Sequence, residues 1–565
     1  MRREHIIAIV FFASIYLGLV GLGNTHFWDD ESYTAIMAKN LVEQGRYTTW
    51  DGRNLHLYIN GAFSNSELIS LGAPMDSYLI VPLFKLFGYS TWLGRIPFVV
   101  VGILALLVFL SLLKYDFGTE NHMGLYSFVL LALSVSFLLN IRQCRYYALA
   151  LFFGLLGFYA YRRFLENQET RFVALLSGSS ILLFYTNYLI AGVFLLSLAA
   201  LHLLLHVRKL DKSGWLKLIL GIVFFLVGII PQLRMALSVT DYGHHGEPWL
   251  SRHATILWWN IRDLNLSGMM PWTIALGLIV VLAMQVKRKE LPPAVWDWLL
   301  FPILYVVIMG VVSPQSIEHP GIADLRYLFL ITPFFMGLIG YFLSVVHQSS
   351  KVVSILLLVI LLNTNLLSLL PVQQKFDSVL PVQQNFRLLL PSFLLEVHSP
   401  YTTSYEAVAS FLRKEAKKDD IVFTLPLFTH GPLLFYTGGK VKFCCVLNKM
   451  TPLPKSTQQR LPSHVFVEES FPDWFIAFGR RRLAMRSIFR YLTRPHKEGK
   501  QMVSYEYRMH HVLNVYWKAT HRPEVPWHQF SPNRRFDRRF DAVYIFKKVK
   551  RRILRPPSTR PVLRK

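Results

Sequence analysis

Apolar positions along this chain fall in long blocks rather than in stripes. The segments Ile6–Gly23, Ile96–Leu113, Leu125–Leu139, Phe172–Thr186, Leu218–Ile230 and Val352–Leu370 are nearly free of charge. A helix crossing a bilayer needs about 20 predominantly apolar residues. Several blocks reach that length, and Tyr, Trp and Asn, which are tolerated at the interface, extend the shorter ones. The pattern predicts about eleven spans, at 5–23, 93–114, 123–139, 146–162, 172–187, 189–206, 216–234, 271–286, 295–313, 327–346 and 352–370. The first has the basic start and apolar run of a secretion signal. It is long, however, has no small-x-small site after it and precedes many more spans, so it reads as a retained helix.

Loop charges give an orientation. With Arg2–Arg3 in the cytoplasm, the loops holding Lys114, Arg162–Arg163, Arg208–Lys217, Lys287–Lys289 and Lys351 all fall inside. Loops 23–92, 140–145, 235–270 and 313–326 face outside, and an odd span count puts the C-terminal part outside as well. Two near-copies, Leu370-Pro-Val-Gln-Gln-Lys-Phe and Leu380-Pro-Val-Gln-Gln-Asn-Phe, are too few for a solenoid and read as an interfacial linker. From Tyr401 the texture is soluble: helical spacing over Ser404–Lys418, a buried strand over Asp420–Leu425, a turn at Thr437-Gly-Gly and a closing strand over Phe540–Phe546. The reading is a polytopic α-helical membrane protein with a small C-terminal extracytoplasmic α/β domain. Its parts are a membrane domain over 1–371 with a first outer loop at 24–92, a linker over 372–400, a soluble domain over 401–546 and a basic tail over 547–565, expected to be disordered.

Composition agrees: 53% of the 565 residues are hydrophobic and mean hydropathy is +0.35, more apolar surface than a soluble chain hides. Net charge is +26, of which the residues from Tyr401 onward supply +21. Such a surface suits anionic lipid head groups or other phosphates, and in an integral membrane protein it does not point to nucleic acid. Cys144, Cys444 and Cys445 are too few for a disulfide framework and lack metal-ligand spacing.

Candidate chemistry collects in the outer loops. The first opens with His26-Phe-Trp-Asp-Asp-Glu-Ser-Tyr, directly after the first span. Three adjacent carboxylates at a membrane boundary repel one another and are costly to desolvate, so they are either hydrated or held for a purpose. One could serve as a general base on an acceptor hydroxyl or amine; a solvated loop edge or helix cap fits the spacing equally. In Tyr242-Gly-His-His-Gly-Glu-Pro-Trp, residues His244, His245 and Glu247 could ligate a divalent ion or form a substrate-contacting loop.

The stretch Trp28-Asp-Asp-Glu-Ser-Tyr, followed by Ala38-Lys-Asn-Leu-Val-Glu-Gln-Gly-Arg-Tyr, resembles the first loop of GT-C glycosyltransferases. The branch it is most similar to contains protein O-mannosyltransferases and the aminoarabinose transferase of lipid A. Pro74 with Tyr78–Ser90 and Gly94-Arg95 resembles the family's next segment, Arg142-x-x-Arg145-Tyr146 its basic-aromatic motif, and Ser404–Arg413 the start of its soluble domain. The resemblance implies a GT-C fold and an inverting transfer from a polyprenyl-phosphate sugar to a lipid, protein or polysaccharide. Asp30 matches the family's catalytic Asp and Glu31 its neighbour; Asp29 has no clear counterpart. The departing phosphate needs cations, and Arg95, Arg142, Arg145 and Arg326 stand at outer span ends, where guanidinium groups pair with phosphate or simply snorkel. Aminoarabinose transferases have a metal-binding His in the loop corresponding to His244–Glu247 and Glu-Lys before the Pro of the first loop. Here Gly72-Ala73 precede Pro74, so no cofactor is required by the pattern and a divalent metal is left open. The alternative is a transporter or flippase of a lipid-linked glycan, but no paired internal repeat is visible. An oligosaccharyltransferase would carry Trp-Trp-Asp-Tyr-Gly, whereas this chain has Trp258-Trp259-Asn260-Ile261.

Overall fold

Inside a bilayer the backbone has no water to bond, so apolar runs close their hydrogen bonds internally as helices. The computed structural model describes residues 2–56, 64–118, 122–238, 249–315, 323–369, 386, 388–399, 402–426, 429–445, 453–478, 490, 492–493, 496–498, 501–514 and 542–554. They form two units. The described residues of the first fall within Met1–Asn24 and Leu71–Pro400; those of the second fall within Thr25–Ser70, Tyr401–Lys518 and Phe536–Lys565.

The first unit is helical and polytopic. Among the described residues, six helices are long and apolar enough to cross a membrane: Thr91–Phe117, Tyr147–Asn167, Tyr188–Lys209, Lys212–Leu237, Pro293–Val312 and Leu325–Ser349. The pair His122–Leu133 and Val135–Ile141, bent by 53°, makes a seventh when counted as one span. The remaining expected spans coincide with shorter helices: Arg3–Leu19, Thr170–Thr186 and Trp272–Arg288 have 17 residues each, and Lys351–Asn363 has 13. At 1.5 Å per residue the last reaches about 20 Å, against a hydrocarbon core of about 30 Å. Their ends have local causes. Asn187 turns extended after Thr186, and its side chain then caps the next helix by accepting from Ile190 N–H at 3.0 Å. Lys289, at φ 61°, closes Trp272–Arg288 in the left-handed region. Leu325–Ser349 is central, with 83% of its apolar window buried, whereas Lys212–Leu237, at 17%, leaves most of its surface outside the helix packing. Gly337 lets the central helix sit on Trp298; a Cβ there would lie 2.2 Å from the indole.

One end of this unit is tied by buried charge. Arg162 Nε and Nη2 donate to Asp116 at 3.1 and 3.0 Å, and its Nη1 pairs with Asp297. Asp297 also bonds His206 Nε2 at 2.5 Å, and Trp298 Nε1 donates to Asp116 at 2.7 Å. These groups come from four of the spans, so the network fixes their mutual register. Buried ion pairs cost desolvation, but removing one partner strands the other. Asp297→Ala is therefore expected to lower stability by about 3–5 kcal/mol, read as a lower melting temperature of the purified protein. An unchanged melt would show that the network carries no structural load.

Among the described residues, the second unit is built on a six-stranded sheet with order β2-β1-β3-β6-β5-β4. The strands are β1 (Ile421–Leu425), β2 (Lys442–Cys444), β3 (Trp474–Phe478), β4 (His496–Glu498), β5 (Gln501–Asn514) and β6 (Ala542–Leu554). β1 is parallel to β2 and β3, while β6 is antiparallel to β3 and β5, and β4 to β5. Side chains alternate along β1 and β3. Val422, Trp474 and Ile476 enter one core, under the helix Ser404–Glu415, and Phe423, Leu425, Phe475 and Ala477 enter the other. The first core also contains Tyr33, Ile36 and Met37, from the helix Asp29–Gln44. The expected outer loop 24–92 is therefore divided: its described residues within 25–70 fold with the sheet, and the rest belong to the membrane unit. β6 continues past 547, where a tail was expected, because β5 pairs with it as far as Met502 opposite Leu554. Residues 555–565 and most of the near-repeat lie outside the described residues. The three cysteines are buried.

Candidate active site

The acidic motif forms the first turn of the helix Asp29–Gln44. Trp28 is extended, and its N–H is accepted by Glu31 Oε2 at 3.4 Å, while Ser32 Oγ donates to the Asp29 carbonyl at 2.6 Å. Carboxylates in a first helical turn meet the positive end of the helix dipole, which offsets part of their mutual repulsion. Tyr33, Ile36 and Met37, at i, i+3 and i+4, fasten the helix to the core, and Gly45 ends it at φ 67°. Phe27, buried just before the turn, donates its N–H to Tyr436 Oη at 2.8 Å. Asp30 and Glu31 are 3% and 0% exposed, so the turn is a held feature and not a hydrated loop edge.

Behind this turn lies a pair that the sequence did not signal. His56 Nδ1 and His430 Nε2 are 3.1 Å apart, and Gly431 packs so closely that a Cβ would lie 2.5 Å from both His56 and Ser32. Tyr33 Oη bonds Ser70 Oγ and its ring stands 5.4 Å from that of His56. Burial first, and His430 second, hold the His56 imidazole well below its ordinary pKa. The unfolded chain then binds more protons than the folded one below about pH 6.5. Stability from this group is present above that value and is lost as pH falls toward the folded pKa. Melting temperature is expected to drop on acidification from about pH 6.5 to 5, and less steeply in His56→Gln. His464, lowered chiefly by burial as well, keeps the slope from vanishing. Equal slopes in the two proteins would contradict the assignment.

In the membrane unit the four predicted arginines lie on one end of the helices. The last carbonyls of Arg3–Leu19 lack helical donors. Arg142 Nη1 donates to those of Leu17 and Gly18 at 2.7 and 3.2 Å and to that of Val20 at 2.7 Å, while Arg95 Nη1 donates to Leu22 at 2.9 Å. Phe393, from the helix Leu389–His398, lies under the Arg142 guanidinium at 5.8 Å. Three residues on, Arg145 lies 5.1 Å from the centre of the Tyr146 ring, and Arg326 acts electrostatically on the same phenol. Arg326 forms a two-pronged pair with Asp324, at 2.7 and 2.6 Å. Arg95 and Asp116 stand near opposite ends of one 27-residue helix, roughly 30 Å apart at 1.5 Å per residue. The arginines and the buried ion network thus occupy opposite ends of the membrane unit.

Other charged residues were not anticipated. Arg262 and Asp263, each about 5% exposed, pair at 2.6 and 2.9 Å, and Asp263 also accepts from Ala323 N–H. Arg252 donates to the carbonyls of Ser313 and Gln315. The adjacency Arg-Asp on an amphipathic helix was the available signal. Among the described residues no group of three His, Cys, Asp or Glu is placed to hold a metal ion; His244, His245 and Glu247 lie outside them.

No family model and no curated protein matches the sequence. Solved structures do match. ArnT from Cupriavidus metallidurans in the apo state aligns at TM-score 0.51 and 14% identity, covering 85% of this chain and 94% of that one. The same protein bound to undecaprenyl phosphate aligns at 0.50 and 13%, with the same coverage. At such identity the likeness is one of fold, and it spans nearly the whole of both chains. By fold, this polytopic membrane protein is similar to ArnT over most of both chains.

Proposed function

We propose that the chain is an inverting glycosyltransferase that moves a hexosyl or pentosyl group from a polyprenyl-phosphate donor to an extracytoplasmic acceptor. The observation that carries this reading is the collection of Arg95, Arg142, Arg145 and Arg326 at one end of a unit with the fold of ArnT, a protein also solved with undecaprenyl phosphate. In the reaction Asp30 takes the proton of an acceptor O–H or N–H as that atom bonds the anomeric carbon. The bond from that carbon to the phosphate oxygen breaks, its electron pair leaves with the polyprenyl phosphate, and the guanidinium groups stabilise the departing charge. A single displacement inverts the anomeric centre. Glu31, which caps the helix, is assigned the positioning of Asp30.

On the same reading the chain spans the inner membrane about eleven times, with the acidic turn and the sheet unit outside. The loop of His244, His245 and Glu247 contacts substrate or a divalent ion. The test is mass spectrometry of envelope lipids and glycans from cells with and without the chain. Its loss should remove one glycosylated product and leave its lipid-phosphate sugar unconsumed; unchanged profiles overturn the proposal.

A further inference from the structure

The second unit contains a cavity that this chemistry does not use. It measures about 180 Å³ and opens between the helix Asp29–Gln44, the turn Asp51–Asn54 and the Gly438–Gly439 turn after the helix His430–Tyr436. Both glycines have positive φ, and a Cβ on either would meet nothing within 4 Å, so the space above the turn is clear.

The charges at the rim are already matched. Lys39 lies 3.8 Å from Glu43, Arg53 pairs with Asp419, and Asp51 Oδ1 accepts the N–H groups of Arg53 and Asn54 at 2.8 and 2.5 Å. Two cations and two anions among the lining side chains leave no net field to select an ion. Deeper in, two fully buried amides are each half satisfied. Asn40 Nδ2 donates to the Thr48 carbonyl at 2.7 Å, and Asn54 Oδ1 accepts from Phe443 N–H at 2.9 Å. Those bonds fix which way each amide faces. They leave Asn40 Oδ1, Asn54 Nδ2 and Arg53 Nε buried without a partner, one acceptor and two donors on three cavity-lining residues. Buried polar groups are nearly always satisfied, so orphans gathered at one cavity mark a place that something polar fills. Ile36, Leu434 and Phe435 supply an apolar wall beside them. A mixed donor and acceptor set next to an apolar wall matches a sugar ring, whose hydroxyls both donate and accept and whose C–H face is apolar.

We propose that this cavity binds one ring of a neutral, hydroxyl-rich saccharide, as a recognition site separate from the residues assigned to catalysis. The full chain in lipid nanodiscs, free of sugar-based detergent, is examined by saturation-transfer NMR. The probes are methyl glycosides of glucose, galactose, mannose, N-acetylglucosamine and arabinose, with glycerol phosphate as an anionic control. At least one glycoside should receive saturation, with its signal reduced tenfold or more in Glu43→Trp, where a bulky ring on a partly exposed helix position fills the mouth. Within the wild type, an excess of that glycoside should displace any others, a single-site signature that depends on no variant. Absence of transfer to every glycoside, equal transfer in a folded Glu43→Trp protein, or preference for glycerol phosphate would each overturn the inference. Binding and sugar transfer are read separately, so a chain that binds glycosides but transfers none refutes the proposed function and leaves this site standing.

Discussion

Asp30→Asn is expected to leave membrane insertion, abundance and melting close to wild type and to reduce sugar transfer by about 10²- to 10⁴-fold. Asn keeps the shape of Asp and fits the same buried first turn, but it cannot accept the acceptor's proton. The lost charge at the helix N-terminus costs about 0.3–1 kcal/mol, too little to unfold the unit. The helix itself is held by Tyr33, Ile36 and Met37 in the sheet core, away from the substituted group. Glu31→Gln provides the contrast. It retains an oxygen for Trp28 N–H, so the helix cap survives and transfer should fall far less. Wild-type turnover in Asp30→Asn would remove the mechanism, whatever the fold.

The second large effect concerns the departing phosphate. Arg145→Gln is expected to lower turnover by about 10²- to 10³-fold, the usual scale for loss of one preorganised group facing transition-state charge. The loss should fall on kcat more than on KM, because the phosphate gains charge as the glycosidic bond breaks. The loss of turnover should exceed any loss of stability; the contact with the Tyr146 ring is itself worth about 0.5–1 kcal/mol. Arg142 differs. Its Nη1 closes three carbonyls at the end of Arg3–Leu19, so Arg142→Gln should depress melting as well as turnover. A turnover loss confined to Arg142→Gln, with Arg145→Gln at wild-type rate, would assign these arginines to helix capping alone.

The membrane class was legible because uncharged blocks such as Ile96–Leu113 have no other stable use in a chain of this length. The acidic motif was legible as well, but its setting was not. Tyr33, Ile36 and Met37 give a helical face, yet nothing in the sequence says that the face closes against Val408, Leu412 and Trp474, nearly four hundred residues on. The same distance hides the His56–His430 pair, which is made by tertiary packing and has no local spacing. Arg162 illustrates a different blindness. Loop charge counting read it only as a cytoplasmic loop charge, whereas its helix runs on to Asn167 and two buried carboxylates from other spans meet it. At the other end of the chain, the basic run from Lys547 outweighed its strand pattern. Only the partner β5, with Val503, Tyr505 and Tyr507 alternating, makes it a ladder. Side-chain type and period were readable in these cases; the identity of the partner was not.

Glycosyl transfer on this chain requires that sugar leave a lipid phosphate. The direct measurement is a proteoliposome assay with undecaprenyl-phosphate hexoses and pentoses, an envelope acceptor extract and separate quantitation of carrier and sugar. For one donor, free undecaprenyl phosphate is expected in equal amount with glycosylated acceptor, the new linkage inverted at its anomeric carbon. Recovery of every donor with its sugar still attached, merely relocated across the bilayer, would identify a carrier of lipid-linked sugars and contradict the account.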